Sequence, residues 1–173
     1  GSPLVIGGGG GANMFIYTSP SFAGATITMA YQIDGGAAAV EDSYTDFAIA
    51  YSPDMVEGLT LGYARAEQQT GIDTDNNKST AYVKYATGGF TVGYQMSEAD
   101  HDTKTSSQDS HSYGLTYAVN DDFSIGYHAH TLEPDSGASS SASNDQESTG
   151  VSASYTMGGM TIAGAMNETD NMR

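Results

Sequence analysis

The sequence has no cysteine, only five basic residues and no long apolar run, and each shortage excludes a class of protein. Without cysteine there is no disulfide framework, no thiolate metal site and no thiol nucleophile. Against 21 acidic residues, the five Lys and Arg leave a formal net charge of -16, so no basic patch can neutralise nucleic-acid phosphates. No apolar run approaches the roughly 20 residues of a membrane-spanning helix. Nucleic-acid binding and helical membrane spans are therefore excluded, whereas β-barrels, whose strands are short and alternately apolar, are not.

What the sequence does contain is a hairpin pattern that returns five times. In each copy, two short segments with an apolar residue at every second position are joined by a turn. Period-two alternation is typical of a strand with one apolar face. We therefore predict an all-β, antiparallel, up-and-down sheet of ten strands, which fall at 15–17, 25–31, 47–51, 59–63, 82–85, 90–94, 113–117, 123–127, 151–155 and 160–164.

The connections between these segments alternate between two kinds. One set is short and rich in Gly, Pro, Asn and Asp, which are ordinary turn residues. The other set is long and polar and holds 14 of the 21 acidic residues, at about 34–43, 67–78, 98–110 and 132–148. Short turns at one end and long loops at the other are typical of an outer-membrane β-barrel.

Tyrosines recur on the apolar face in two rows. Because a phenol combines an apolar ring with a polar hydroxyl, it favours the boundary between hydrocarbon and headgroups. The alternative is that each tyrosine packs in a soluble sheet, since aromatic residues favour strands in general. We predict membrane-interface aromatics flanking an aliphatic band: Tyr17, Tyr51, Tyr85, Tyr117 and Tyr155 near the short turns, and Tyr31, Tyr63, Tyr94 and Tyr127 toward the long loops.

The opposite face carries mostly Gly, Ala, Ser and Thr, which suits the wall of a water-filled lumen. Charged residues that line a pore tune which ions pass. Arg65 has the parity of the apolar face, near its loop end, where a long side chain can reach the headgroups. Lys84 is equally open to the interpretation that it only decorates a wide lumen. The pore-lining candidates are Lys84, Asp46, Gln95, His128 and His130.

No cofactor site and no catalytic cluster is predicted. The segment 73–77 begins like a calcium loop, but Lys78 replaces the turn glycine and no Glu follows at the twelfth position. Weak divalent-cation binding among the loop acids remains open. His111, His128 and His130 invite a metal hypothesis without a further ligand at a recognisable spacing. The hydroxyl residues have no nucleophile-elbow context, so we predict that the protein is not an enzyme.

Three segments carry a resemblance to a known family: 17–24 (YTSPSFAG), 58–63 (GLTLGY) and 89–94 (GFTVGY). They resemble Gram-negative general porins of the alphaproteobacterial type, and the likeness extends over about residues 13–167. The resemblance implies a 16-stranded, trimeric transmembrane barrel in the outer membrane of a Gram-negative bacterium. It also implies that the partners are the lipid bilayer with its outer-membrane lipids, further copies in a homotrimer and small hydrophilic solutes.

The chain departs from that family in its number of strands. Ten strands against 16 indicate a partial chain, although ten could also close alone; small inward residues would leave such a barrel hollow. We therefore divide the chain into a glycine-rich lead-in at 1–12, five hairpins of the barrel at 13–168, and a truncated loop at 169–173. The resemblance implies that the lead-in is the end of a constriction loop.

The predicted function is passive diffusion of small hydrophilic solutes and ions through an outer-membrane porin. Because acids in the long loops attract cations to the mouth, we expect a cation preference. Two alternatives remain: a secreted or surface β-rich adhesin or fibre subunit with no channel, and an enzyme housed in a barrel.

Overall fold

The computed structural model describes residues 14–32, 42–70, 75–101, 107–134 and 145–171. No helix that could cross a membrane occurs among these residues. They form ten strands: β1 (Met14–Thr18), β2 (Ala25–Gln32), β3 (Asp42–Tyr51), β4 (Leu59–Thr70), β5 (Asp75–Thr87), β6 (Phe90–His101), β7 (Gln108–Ala118), β8 (Phe123–Pro134), β9 (Gln146–Met157) and β10 (Met160–Asp170).

Each strand pairs with its neighbours in the sequence, so the sheet runs from β1 to β10 in order. Every pairing is antiparallel, and within the described residues none joins β1 to β10. Two of the hairpins turn through a pair of glycines with positive φ, at Gly88-Gly89 and Gly158-Gly159. Two-residue turns of this kind match the right-handed twist of the flanking strands. The predicted up-and-down meander of ten strands is confirmed.

The strands are longer than predicted, and the additional residues lie mostly at the ends away from the short turns. β6 continues to His101 instead of stopping near 94, and β8 continues to Pro134 instead of 127. The prediction followed apolar residues, but a hydrogen-bond ladder needs only backbone groups and continues where the side chains become charged. β10 reaches Asp170, so two residues assigned to a truncated loop belong to the sheet. The predicted lead-in at 1–12 lies outside the described residues.

The two faces of the sheet differ in burial. With the exception of Ile16, every exposed large hydrophobic residue within a described strand lies on the face that carries the two predicted tyrosine rows. The buried strand residues all lie on the opposite face, as expected where a curved sheet brings side chains together on its concave side. They are Thr28, Ala30, Tyr44, Asp46, Ala48, Ala64, Ala66, Thr80 and Gly150.

This distribution is the reverse of a soluble sheet protein. Soluble domains bury their large aliphatic and aromatic side chains in a close-packed interior, whereas the buried hydrophobic residues here are four alanines and one tyrosine. Exposed apolar surface on this scale marks contact with a membrane or another protein. The convex face is therefore the apolar one, and the concave face is small and polar.

Candidate pore wall

A single row of the hydrogen-bond register shows how the concave face is built. The row crosses six strands, from β5 and β6 through β7 and β8 to β9 and β10. Three of its six positions are glycine, so the wall between the longer side chains is nearly flat. The row consists of Lys84, Gly93, Gly114, His128, Gly150 and Asn167.

Lys84 and Gln95 occupy open positions on this face. Lys84 is exposed, and its register partners on the neighbouring strands are Thr60 and Gly93. Gln95 is also exposed and donates a hydrogen bond from Nε2 to Ser97 Oγ at 3.3 Å. Both side chains are therefore accessible on the concave face, and their role as pore-lining residues stays a prediction.

Asp46 lies on the predicted face but is not open. Its residue is 2% exposed, and its Oδ2 accepts a hydrogen bond from the Tyr44 hydroxyl at 2.9 Å. Tyr44 in turn packs with Ala30 and Ala66. A buried, hydrogen-bonded carboxylate fixes the local structure of the wall more than it attracts ions, so Asp46 and Lys84 are not equivalent charges.

The three histidines considered for a metal site lie on opposite faces. His128 and His130 lie on the concave face, where Ser112 Oγ is 2.9 Å from His130 Nδ1. His111 lies on the convex face, with its Nδ1 2.8 Å from the Tyr94 hydroxyl and its Nε2 4.0 Å from Glu133. The sheet itself separates them, and the described residues contain no group of three metal-ligating side chains.

Two further basic or titratable residues on the concave face were missed by the sequence analysis. Lys78 pairs with Ala66 and Ala99, and His101 pairs with Asn76, to which its ring is also hydrogen-bonded. Both residues fell in predicted loops. Inward and outward positions keep alternating along a strand. Extending this alternation beyond the last apolar residues of β5 and β6 would have assigned both residues to the concave face.

Most acidic residues near the strand ends have the opposite, convex parity, whereas Asp42 at the start of β3 has concave parity. Asp75, in the segment that begins like a calcium loop, starts β5, and seven of the 14 predicted loop acids stand on strands with convex parity. Five others lie outside the described residues. The convex, exposed acids are Glu67, Asp75, Glu98, Asp100, Asp109, Glu133, Glu147, Glu168 and Asp170.

The register of the first tyrosine row gives the tilt of the strands. Tyr85 of β5 pairs with Val92 of β6, whereas Tyr117 of β7 pairs with Phe90 of β6. The tyrosine row therefore moves along the strands by two residues for every two strands that it crosses. The row also moves by two residues from β3 to β5 and from β7 to β9. From β1 to β3 it moves by four residues. With a rise of about 3.3 Å per residue and a strand spacing of about 4.8 Å, a level row needs a tilt of about 35°. Barrel strands have this tilt.

The second tyrosine row does not lie where we expected it. Its members on either side of β5, Tyr63 and Tyr94, pair with Ala81 and Val83 of β5. The row therefore crosses β5 midway between these two residues, three residues from Tyr85 of the first row. Three residues span about 10 Å along a strand, too little to separate the edges of an apolar band about 25 Å tall. The two rows therefore do not flank the band, and the second lies inside it.

The apolar band on β6 is somewhat shorter than the apolar band of a typical outer-membrane barrel. On β6 the convex residues are apolar or aromatic from Phe90 to Met96, and the next is Glu98. These seven residues, on a strand tilted by about 35°, rise about 19 Å, compared with the roughly 25 Å of a full outer-membrane apolar band. The prediction that these tyrosines meet a membrane interface remains a prediction.

An up-and-down sheet with an exposed apolar convex face, a polar concave face and tilted strands is the wall of a transmembrane β-barrel. The family model of Gram-negative porins matches residues 4–172. The chain belongs to this family. Its proteins are channels of the Gram-negative outer membrane and not enzymes, so the predicted family, location and lack of catalysis are confirmed, and the adhesin and enzyme alternatives are set aside. No curated protein matches the sequence.

Solved porin structures share the fold. An anion-selective porin from Comamonas acidovorans matches with a TM-score of 0.70 and 17% identity, over 91% of this chain and 49% of that porin. A porin refined at 1.8 Å resolution matches with a TM-score of 0.68 and 16% identity, over 91% and 55%. A loop-deletion mutant of OmpT, an outer membrane protein of Vibrio cholerae, matches with a TM-score of 0.61 and 14% identity, over 91% and 57%. The chain spans about half the length of the porins it matches.

Proposed function

We propose that this chain forms part of the wall of a water-filled channel through which small hydrophilic solutes and ions diffuse passively. The observation that carries the proposal is the separation of the two faces: large apolar side chains on the convex side, and hydroxyls, glycines and a few charges on the concave side. A wall of small polar groups leaves room for water and binds no solute tightly. Diffusion through such a channel needs neither a cofactor nor a covalent step.

The apolar convex face has lipid and further copies of the chain as its proposed partners. A homotrimer requires part of that face to be covered by protein instead of lipid, and both kinds of contact use the same side chains. The first tyrosine row, near the short turns, fits one membrane interface. We propose at most weak binding of divalent cations to the exposed acidic side chains.

The predicted cation preference has no support from the described charges. This preference depended on acidic residues at the mouth of the channel. Seven of the 14 acids assigned to the long loops instead lie on strands and have convex parity, which directs them away from the lumen. The exposed charge on the described concave wall, Lys84, is positive, and one porin with the same fold is described as anion-selective. A preference for cations therefore remains only the earlier expectation.

Planar-bilayer recording tests the proposal directly. We expect the folded protein, expressed from its complete gene, to insert and give discrete, long-lived conductance steps that are proportional to salt concentration. Heat-denatured protein in the same detergent is the control and should give none. Folded protein that inserts into bilayers without conductance steps would contradict a channel.

A further inference from the structure

We propose that His128 and His130 make the ion selectivity of the pore depend on pH, with the permeability shifting toward anions as the pH falls. The inference rests on the proposed channel function and deepens it by naming the solute class that the wall favours. Histidine is the side chain whose charge ordinarily changes between pH 5 and 8. Protonation of both rings adds two positive charges to the wall.

The geometry places both rings on the lumen side of a single strand. His128 and His130 are two residues apart on β8 and therefore share a face. His128 is exposed, and a side chain at Gly150 would collide with its ring and with the Asn167 amide. Ser112 Oγ lies 2.9 Å from His130 Nδ1, and a hydroxyl can serve that ring nitrogen either as donor or as acceptor.

Among the described residues, the carboxylates with concave parity, Asp42 and the buried Asp46, lie on β3, five strands from β8, and none lies on β7 to β10. The concave residues of β7, β9 and β10 beside the two rings are uncharged: Ser110, Ser112, Gly114, Ser148, Gly150, Ser152, Asn167 and Thr169. Acids on β7 to β10 are present but convex: Asp109, Glu133, Glu147, Glu168 and Asp170. The sheet therefore keeps the negative charge of these strands outside the lumen.

The nearest positive charge on the same face strengthens the effect. Lys84 shares the register row of His128 three strands away, a backbone separation of about 14 Å. At low salt the fields of such charges overlap, since the screening length is about 30 Å at 0.01 M and about 10 Å at 0.1 M. Protonated His128 and His130 therefore extend a permanent positive patch across the wall.

Reversal potentials in a dilute KCl gradient, at pH 8 and at pH 5, test the inference. We expect the chloride-to-potassium permeability ratio of the protein expressed from its complete gene to rise about two- to fivefold at pH 5, on the order that one or two weakly screened charges produce. The double variant His128→Gln/His130→Gln should lose most of this rise. His111→Gln, on the convex face of the neighbouring strand, is the matched control and should keep it. His101→Gln measures the contribution of the third lumen-side histidine.

The outcomes separate the inference from the proposed function. Normal channels whose pH shift persists in the double variant overturn the inference and leave the channel intact. Failure of the unmodified protein to conduct overturns both. Should the double variant fold poorly, the single variants His128→Asn and His130→Asn are each expected to lose part of the shift, and a full shift in both overturns the inference equally.

Discussion

Leu115→Arg is expected to destabilise the folded protein in lipid by about 2–4 kcal/mol, the usual cost of a basic residue in the middle of a lipid-facing barrel surface. Leu115 lies on the convex face of β7, between Val92 and Tyr127, and is 44% exposed. An arginine there has to take its charge into hydrocarbon, away from water. The shift in the urea midpoint of unfolding from lipid vesicles measures the loss.

The neighbouring substitution, Thr116→Arg, is the matched control. Thr116 is exposed on the concave face, between Thr91 and Gly126, where an arginine remains in water. We expect its unfolding midpoint to stay close to that of the unmodified protein, because lumen substitutions change selectivity more than stability. Equal losses at 115 and 116, or a larger loss at 116, would show that the two faces have been assigned wrongly.

Lys84→Glu is expected to increase the potassium-to-chloride permeability ratio several-fold at low salt. The substitution changes the charge of an exposed lumen-side residue by two units, and wall charges bias the ions that enter a pore. Reversal potentials in a KCl gradient measure the change. The effect should shrink as the salt concentration rises, since screening shortens the range of the charge.

Arg65→Glu makes the same change of charge on the other face of the sheet. Arg65 is on convex parity and pairs with Glu67 at 2.8 Å, with both side chains more than half exposed. Loss of such an exposed ion pair costs at most about 1 kcal/mol. Unchanged selectivity in this variant, beside a shift in Lys84→Glu, assigns the effect to the lumen. A similar shift in both would mean that overall charge, and not position, sets selectivity.

The sequence predicted the architecture well because period-two alternation reports one physical fact, that a face is apolar. It predicted all ten strands and the parity of Lys84 and His128. It failed at the strand ends, where β6 runs to His101, because outside hydrocarbon neither face needs to be apolar. The alternation there is between charged and small polar residues, which resembles a loop in composition.

The solvent exposure of a concave residue and the position of a tyrosine row along the strands could not be predicted from the sequence, for a different reason. Parity places Asp46 on the lumen face, but its burial depends on packing with Tyr44, which no local pattern encodes. The spacing of the two tyrosine rows depends on the register between strands, as the pairing of Tyr63 with Ala81 shows. Position within one strand says nothing about this register, so the second row was expected at the far edge of the band.

Cysteine accessibility along β6 tests the central claim, that the small polar face meets water in a lumen and the tyrosine face does not. The chain has no cysteine of its own, so single substitutions at Val92, Gly93, Tyr94 and Gln95 report without background once any thiol elsewhere in the full-length protein is replaced by serine. A charged, membrane-impermeant thiol reagent, applied to the protein folded in lipid vesicles, should label positions 93 and 95 rapidly and positions 92 and 94 hardly at all. Equal labelling of all four positions, or the reverse alternation, would contradict the account.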